Sequence, residues 1–373
     1  MYLDCNATTA IDERVVEAML PYMVEVFGNP SSVHRYGRLA RAAIDQARQQ
    51  LAALVNAHES QVIFTSGGTE ANNLAIKGCL WQEKNALLAH SAIEHASVIE
   101  AAKAMQQQGW QREEILVDDQ GRILIKSLQQ ILTRKPYLVS VMQANNETGV
   151  IQALDEITQQ VREQGALMHT DAVQAAGKIK VDFKASNVHL MTLSAHKIYG
   201  PKGCGALIVD KALDLYAMQH GGGHEKGYRP GTENLAGIVG FGKAAELALQ
   251  ELDERSQKVL PLRDALQQGL LGIPGVKVYS LQAPRVPNTI QAGIPGYDGE
   301  ALLMELDKRN IAVSSGSACS SGRTGASHVL QAMQAEMPLA KSAIRISLGK
   351  DSTMLEVKEF LKQLADILQV VAL

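Results

Sequence analysis

Between residues 62 and 209 the chain returns repeatedly to short apolar runs, each separated from the next by a helical pattern or a polar turn. The runs occupy 62–65, 86–89, 137–142, 166–171, 190–194 and 205–209. They are too short to be buried helices. Strands alternating with helices fold as an α/β unit around a largely parallel sheet. In such open sheets ligands bind beyond the carboxyl ends of the strands, and this chain places polar clusters at several of those ends. Residues 239–270 read as one long helix. Beyond it the order changes, and 276–279, 289–292 and 342–347 read as strands of a smaller α+β unit. The expected architecture is a large domain over 12–250, with a mainly parallel central sheet flanked by helices. A smaller α+β domain would be made from 1–11 and 251–373. A length of 373 residues suits two such units.

Charge and cysteine usage exclude several classes of function. Basic and acidic residues nearly cancel, 36 against 39, so bulk charge points to neither a nucleic acid nor an anionic membrane. No apolar run approaches the ~20 residues of a membrane span, and the first residues have no apolar leader. The four cysteines, Cys5, Cys79, Cys204 and Cys319, have neither zinc-finger nor disulfide-scaffold spacing. No metal site is expected, and a reducing cytoplasm fits best.

Several residues at the strand ends carry chemistry. Gly67-Gly68-Thr69 lies between a strand and a helix, where free N–H groups and a hydroxyl could cradle a phosphate or simply start a helix. Asp171 ends a strand and could pair with a protonated ring nitrogen or cap the next helix, and Gln174 three residues on could reach a ring oxygen. Ser194-Ala195-His196-Lys197 follows another buried strand. A desolvated lysine there can offer a free amine for a Schiff base, with Ser194 and His196 as phosphate donors. His95 could stack on a flat cofactor and shuttle protons, or be a helix-start histidine. Arg345 sits mid-strand, either as a carboxylate clamp or facing water from an edge. Cys319 stands in a segment, 314–327, in which nine of 14 residues are Gly or Ser. Such a stretch predicts a mobile loop carrying an accessible thiol.

Together these residues resemble the cysteine desulfurases, pyridoxal-phosphate enzymes of aminotransferase fold type I, class V. The resemblance runs from Tyr2-Leu3-Asp4 through Thr65-Ser66-Gly67-Gly68-Thr69-Glu70, Asn145-Asn146-Glu147-Thr148-Gly149 and Ser194-Ala195-His196-Lys197. It continues to Arg229-Pro230-Gly231-Thr232-Glu233-Asn234, Ser314-Ser315-Gly316-Ser317-Ala318-Cys319 and Arg345-Ile346-Ser347-Leu348-Gly349. It implies that Lys197 carries pyridoxal 5'-phosphate as a Schiff base and that Asp171 keeps the ring nitrogen protonated. Gln174 would bond the ring hydroxyl, and His95 would stack on the ring and act in proton transfer. Gly68, Thr69, Ser194 and His196 would bind phosphate, with Thr232 from the neighbouring subunit of a homodimer. Asn146 and Arg345 would orient the carboxylate of L-cysteine. Cys319 would take its sulfur as a persulfide, releasing alanine, and pass it to an acceptor protein.

The chain departs from the family pattern at Asp4-Cys5-Asn6, where a second thiol enters. Only 24 residues follow Gly349, fewer than in the housekeeping iron–sulfur relatives. The acceptor is therefore left open among a cluster scaffold, a tRNA-thiolation carrier and a DNA-phosphorothioation protein. Two other readings are a selenocysteine lyase or another class-V enzyme needing no protein thiol, and a non-catalytic relay or scaffold subunit.

Overall fold

The computed structural model describes residues 1–81, 83, 85–315 and 325–368. Seven strands form the main sheet: β1 (Val62–Thr65), β2 (Leu87–Ser91), β3 (Gln111–Ile115), β4 (Leu138–Ser140), β5 (Leu167–Asp171), β6 (Leu190–Ser194) and β7 (Gly205–Val209). Their spatial order is β1-β7-β6-β5-β4-β2-β3. The pairs from β3 to β6 are parallel, and β7 runs antiparallel to both β6 and β1. Apolar clusters cover both faces. Phe64, Val139, Met191 and Phe241 belong to one cluster, and Ile63, Leu74, Leu88 and Leu207 to another. Burial on both faces explains why β1, β2, β4, β5, β6 and β7 read as near-continuous apolar runs.

Strand β3 is the exception. Its sequence, Gln-Arg-Glu-Glu-Ile, has no apolar pattern because it is the exposed edge beside β2. Charged side chains on an edge discourage pairing with other chains, and they also hide the strand from a hydrophobicity reading.

A second sheet has the order β10-β11-β9-β8, with β8 (Lys277–Val278), β9 (Thr289–Gly293), β10 (Ser314–Ser315) and β11 (Ala343–Ser347). Its apolar face packs with Phe360, Leu364, Leu302 and Leu306 in a cluster of its own. The expected single helix over 239–270 is two helices, Leu235–Gln250 and Leu252–Leu271. They meet at Glu251, which leaves helical geometry (φ −102°, ψ 9°). Its carboxylate is held from two sides, by Arg14 at 2.5 Å and Arg255 at 2.8 Å. No described helix is long and apolar enough to cross a membrane.

The N-terminal segment ties the two sheets together. It bridges to Ser347 through Asp4, then runs past the turn after β6, where Thr9 N–H donates to the His196 carbonyl and Asp12 N–H to that of Tyr199. Close approach of another kind shapes the other side of the site. Gly205 begins β7 directly beneath the Gly67 turn, and a Cβ there would lie 2.4 Å from the Gly67 carbonyl carbon. Backbone cannot yield as a side-chain tip can. Gly205→Ala is expected to lower stability by about 1–3 kcal/mol, checked by the urea midpoint at unchanged m-value.

Candidate active site

The candidate residues come from the carboxyl ends of neighbouring strands, which the parallel register brings side by side. Asp171 ends β5 and pairs across to Thr192 on β6. Ser194 ends β6, and Ala195–Lys197 form the single 3-10 turn that follows. The turn is then pinned. Tyr199 adopts a left-handed conformation (φ 68°), costly for a bulky residue, with its N–H donating to Thr9 Oγ1 at 2.9 Å.

The helix Gly68–Leu80 starts over this edge with no side-chain cap at Gly67. The N–H groups of its first turn therefore remain for another acceptor. Gly68 brings that turn close: a Cβ there would meet Val173 Cγ2 at 3.2 Å and Ser194 Cβ at 3.6 Å. Among the described residues Ser194 Oγ is buried without a hydrogen-bond partner, a costly state unless a ligand fills it. An uncapped helix start above an orphaned hydroxyl fits a phosphate. His196 is close by in sequence, its Nδ1 3.2 Å from Thr8 Oγ1. Burial, then the charges of Lys197 and Lys202, lower its pKa to about 4, so it is a neutral ring at neutral pH.

Asp171 is buried, with Oδ1 accepting from Val173 N–H (3.0 Å) and Oδ2 from Asn72 Nδ2 (2.8 Å). Asn72 donates from the same nitrogen to Ser97 Oγ at 2.8 Å. Ser97 in turn contacts His95, with Oγ 2.7 Å from Nδ1 and N–H donating to that same nitrogen at 3.1 Å. His95 is thus a helix-start residue, the N-cap of Ala96–Gln107. That role places the accepting nitrogen at Nδ1 and leaves the neutral ring's proton on Nε2. A buried chain of contacts joins Asp171 to His95, and nothing in the sequence pattern marks Asn72 or Ser97 as its links.

The Lys197 amine donates to the backbone carbonyls of Asn6 (2.5 Å) and Ala7 (2.6 Å). Gln174 donates through Nε2 to the Asn6 carbonyl at 3.0 Å, while its Oε1 accepts from Lys178 Nζ at 2.5 Å. A cation at Oε1 settles which end of the amide is which, and one Nε2 hydrogen is left for a ligand. Arg345 does not face water: it is 3% exposed, ion-paired to Asp4 at 2.7 Å, and donates to the Asn146 carbonyl at 3.0 Å. Its Nε is buried with no partner among the described residues. Thr232 lies exposed, with no described hydrogen bond to the Ser194–His196 turn. Cys319 lies outside the described residues. Cys5 is buried, and burial first of all raises its thiol to about 11. It therefore stays protonated at neutral pH, unlike a reactive thiolate.

In this sheet a lysine lies just beyond one central strand and an aspartate ends its neighbour. The Aminotransferase class-V family model matches residues 1–360. A cysteine desulfurase IscS of Anaeromyxobacter sp. is 45% identical over 363 residues, covering 96% of this chain and 89% of the relative. Cysteine desulfurase 2 of Trichormus variabilis is 43% identical over 372 residues, covering 99% and 93%. A solved NifS-like protein superposes with a TM-score of 0.93 at 35% identity, covering 99% of each chain. The chain belongs to the class-V aminotransferases and, within them, to the cysteine desulfurases, pyridoxal-phosphate enzymes of fold type I.

Buried histidines give the fold a pH dependence of definite sign. Burial lowers His169 from 6.5 to about 4, and its ring lies between Ser140 Oγ (2.8 Å) and Thr192 Oγ1 (3.1 Å). The unfolded chain binds the proton first, so stability is full above about 6.5 and is lost as the pH falls toward 4. His196 acts in the same direction, while buried Glu94, raised well above its ordinary value by burial, opposes it. The urea midpoint should fall through this window, and His169→Asn should flatten the dependence.

Proposed function

We propose that this chain removes the sulfur of L-cysteine, releasing L-alanine, with pyridoxal phosphate carried on Lys197 and with Cys319 as the sulfur acceptor. The observation that carries the reading is the convergence of Lys197, buried Asp171 and the orphaned Ser194 hydroxyl beneath an uncapped helix start. Bound there, pyridoxal phosphate supplies an electron sink for negative charge developing at the substrate's α-carbon.

The chain's own groups do the rest. Ser194 Oγ, the Thr69 hydroxyl, His196 and the Gly68 N–H take the phosphate. Asp171 holds the proton on the ring nitrogen, its charge kept in place by Asn72 and Val173. Gln174 gives its remaining Nε2 hydrogen to the ring oxygen. His95 would lie against the bound cofactor and could move protons through Nε2. Asn146 and Arg345 orient the substrate carboxylate, with the unpartnered Arg345 Nε offering a donor. The Cys319 thiolate bonds to the substrate sulfur as the S–Cβ bond breaks. The bonding pair stays with carbon, which is protonated to alanine, and Cys319 is left as a persulfide for an acceptor protein.

In this reading residues 12–250 carry the cofactor, while 1–11 and 251–373 form the smaller body that brings Arg345 and Cys319. A second copy of the chain completes the site with Thr232. Supporting that copy, Leu20, Met23, Val24, Phe27, Val33 and Tyr36 leave more than half of each side chain's residue exposed on consecutive segments, an apolar band of the kind that marks an interface. The described cysteines, Cys5, Cys79 and Cys204, are unbridged, which suits a reducing cytoplasm. Lys197→Ala is expected to lose the visible absorbance of a lysine-bound pyridoxal and to reduce cysteine turnover more than about a hundredfold. A wild-type chain that stayed colourless with added pyridoxal phosphate would instead favour a scaffold role.

A further inference from the structure

A second cleft, of about 440 Å³, lies beside the lysine turn. Its walls come from the N-terminal segment, the turns after β5 and β6, and the helix Leu252–Leu271. Of the residues given a part in the proposed chemistry, only Lys197 borders it. Arg255, Lys178 and Lys350 line it, and among the described residues no Asp or Glu does. The carboxylates paired with these cations stand outside the lining. Glu251 accepts from Arg255 Nε at 3.0 Å and Nη2 at 2.8 Å, and Lys350 Nζ is met by Asp12 at 3.6 Å and Asp351 at 3.0 Å. Arg255 Nη1 is left over. It is buried with no partner among the described residues, on a side chain only 8% exposed. The guanidinium is held in place over the Tyr199 ring, 5.1 Å from its centroid. Lys178 also has a donor to spare. Asn6 Oδ1 at 2.7 Å and Gln174 Oε1 at 2.5 Å accept from its Nζ, which carries three N–H groups. The charged groups facing Lys178 are Lys197 and Arg345, with no carboxylate among them, and burial keeps the neighbouring Cys5 thiol neutral.

We propose that this cleft binds a small oxyanion of the phosphate class, held by Arg255 Nη1 and by the remaining N–H of Lys178. A buried guanidinium N–H without an acceptor is costly. An anion is the acceptor that recovers most of that cost, because both sides of the hydrogen bond are then charged. The two donors come from separate elements, so the acceptor needs more than one oxygen. A tetrahedral oxyanion supplies them to a guanidinium fork and an ammonium together, as a single halide does not. Ser256, next to Arg255 on the same helix, adds a hydroxyl to the wall. An anion bound here would tie the helix Leu252–Leu271 to the turn that carries Lys178 and Gln174. It would thus run alongside the link that Asn6 makes between Lys178 and the smaller sheet.

Isothermal titration of the full-length holoenzyme with inorganic phosphate tests this, since the bound cofactor fills the cradle at Ser194 in the reading above. A single site per chain is expected, with a thermal midpoint that rises as phosphate is added. Arg255→Gln should weaken binding at least about tenfold. Ser256→Asp, which sets a carboxylate in the cleft and leaves Arg255 intact, should weaken it as far, and it supplies the reading if the Arg255 variant does not fold. Phenyl phosphate separates the two sources of such an anion. Affinity equal to that of inorganic phosphate assigns the site to the phosphate group of a larger molecule, and exclusion assigns it to the free ion. L-Alanine, whose carboxylate the Arg345 clamp would take, should not displace the phosphate. Absence of saturable binding at millimolar phosphate, unchanged affinity in both variants, or displacement by L-alanine would overturn the proposal.

Discussion

Every hydrogen-bonding group of Asn6 is in use, and the geometry of the site depends on that saturation. Its N–H donates to Ser347 Oγ, and its Nδ2 to the Asn146 carbonyl and Thr289 Oγ1. Its backbone carbonyl receives Gln174 and Lys197, and its Oδ1 receives Lys178 and Asn288. The residue is 1% exposed. It joins the strands of the smaller sheet to the lysine turn of the larger one. A buried polar group with all partners present specifies one arrangement, whereas the loss of any partner leaves another group unsatisfied at a cost of about 1–3 kcal/mol. The relative position of Arg345 and Lys197 is thus set through one side chain and one peptide unit.

The charges around that hub follow from burial. Arg345 has Asp4, and Asp171 has two N–H donors rather than a cation. An unpaired carboxylate so held suits a cationic ring nitrogen. His196 is kept neutral by burial and by the cations next to it, so it can give a hydrogen bond to an anion without adding a full charge.

The parts of this site legible in the sequence are those that one strand and its following turn determine. Asp171, Ser194, His196 and Lys197 stand at the ends of apolar runs, and each falls at the sheet edge where the α/β rule places ligands. Arg345 was recognisable as a mid-strand arginine, but its burial depends on Asp4, 341 residues away. Asn6, Asn72, Ser97 and Lys178 left no local signature, because their roles arise from contacts between distant segments. Lys178 lies at helical spacing from Gln174, yet a lysine in a polar turn normally faces water. The same limit explains the fold-level misses: β3 carries an edge strand's charges, and the break at Glu251 has no glycine or proline at the junction to announce it.

The proposed chemistry divides between groups that hold the cofactor and one thiol that takes the sulfur. The division is tested most directly by following Cys319 in the holoenzyme during turnover of L-cysteine. The proposed function predicts that the Cys319 peptide gains the mass of one sulfur while alanine appears, and that Cys319→Ala binds pyridoxal phosphate but forms no persulfide and almost no alanine. Alanine formation at the wild-type rate in Cys319→Ala would contradict it.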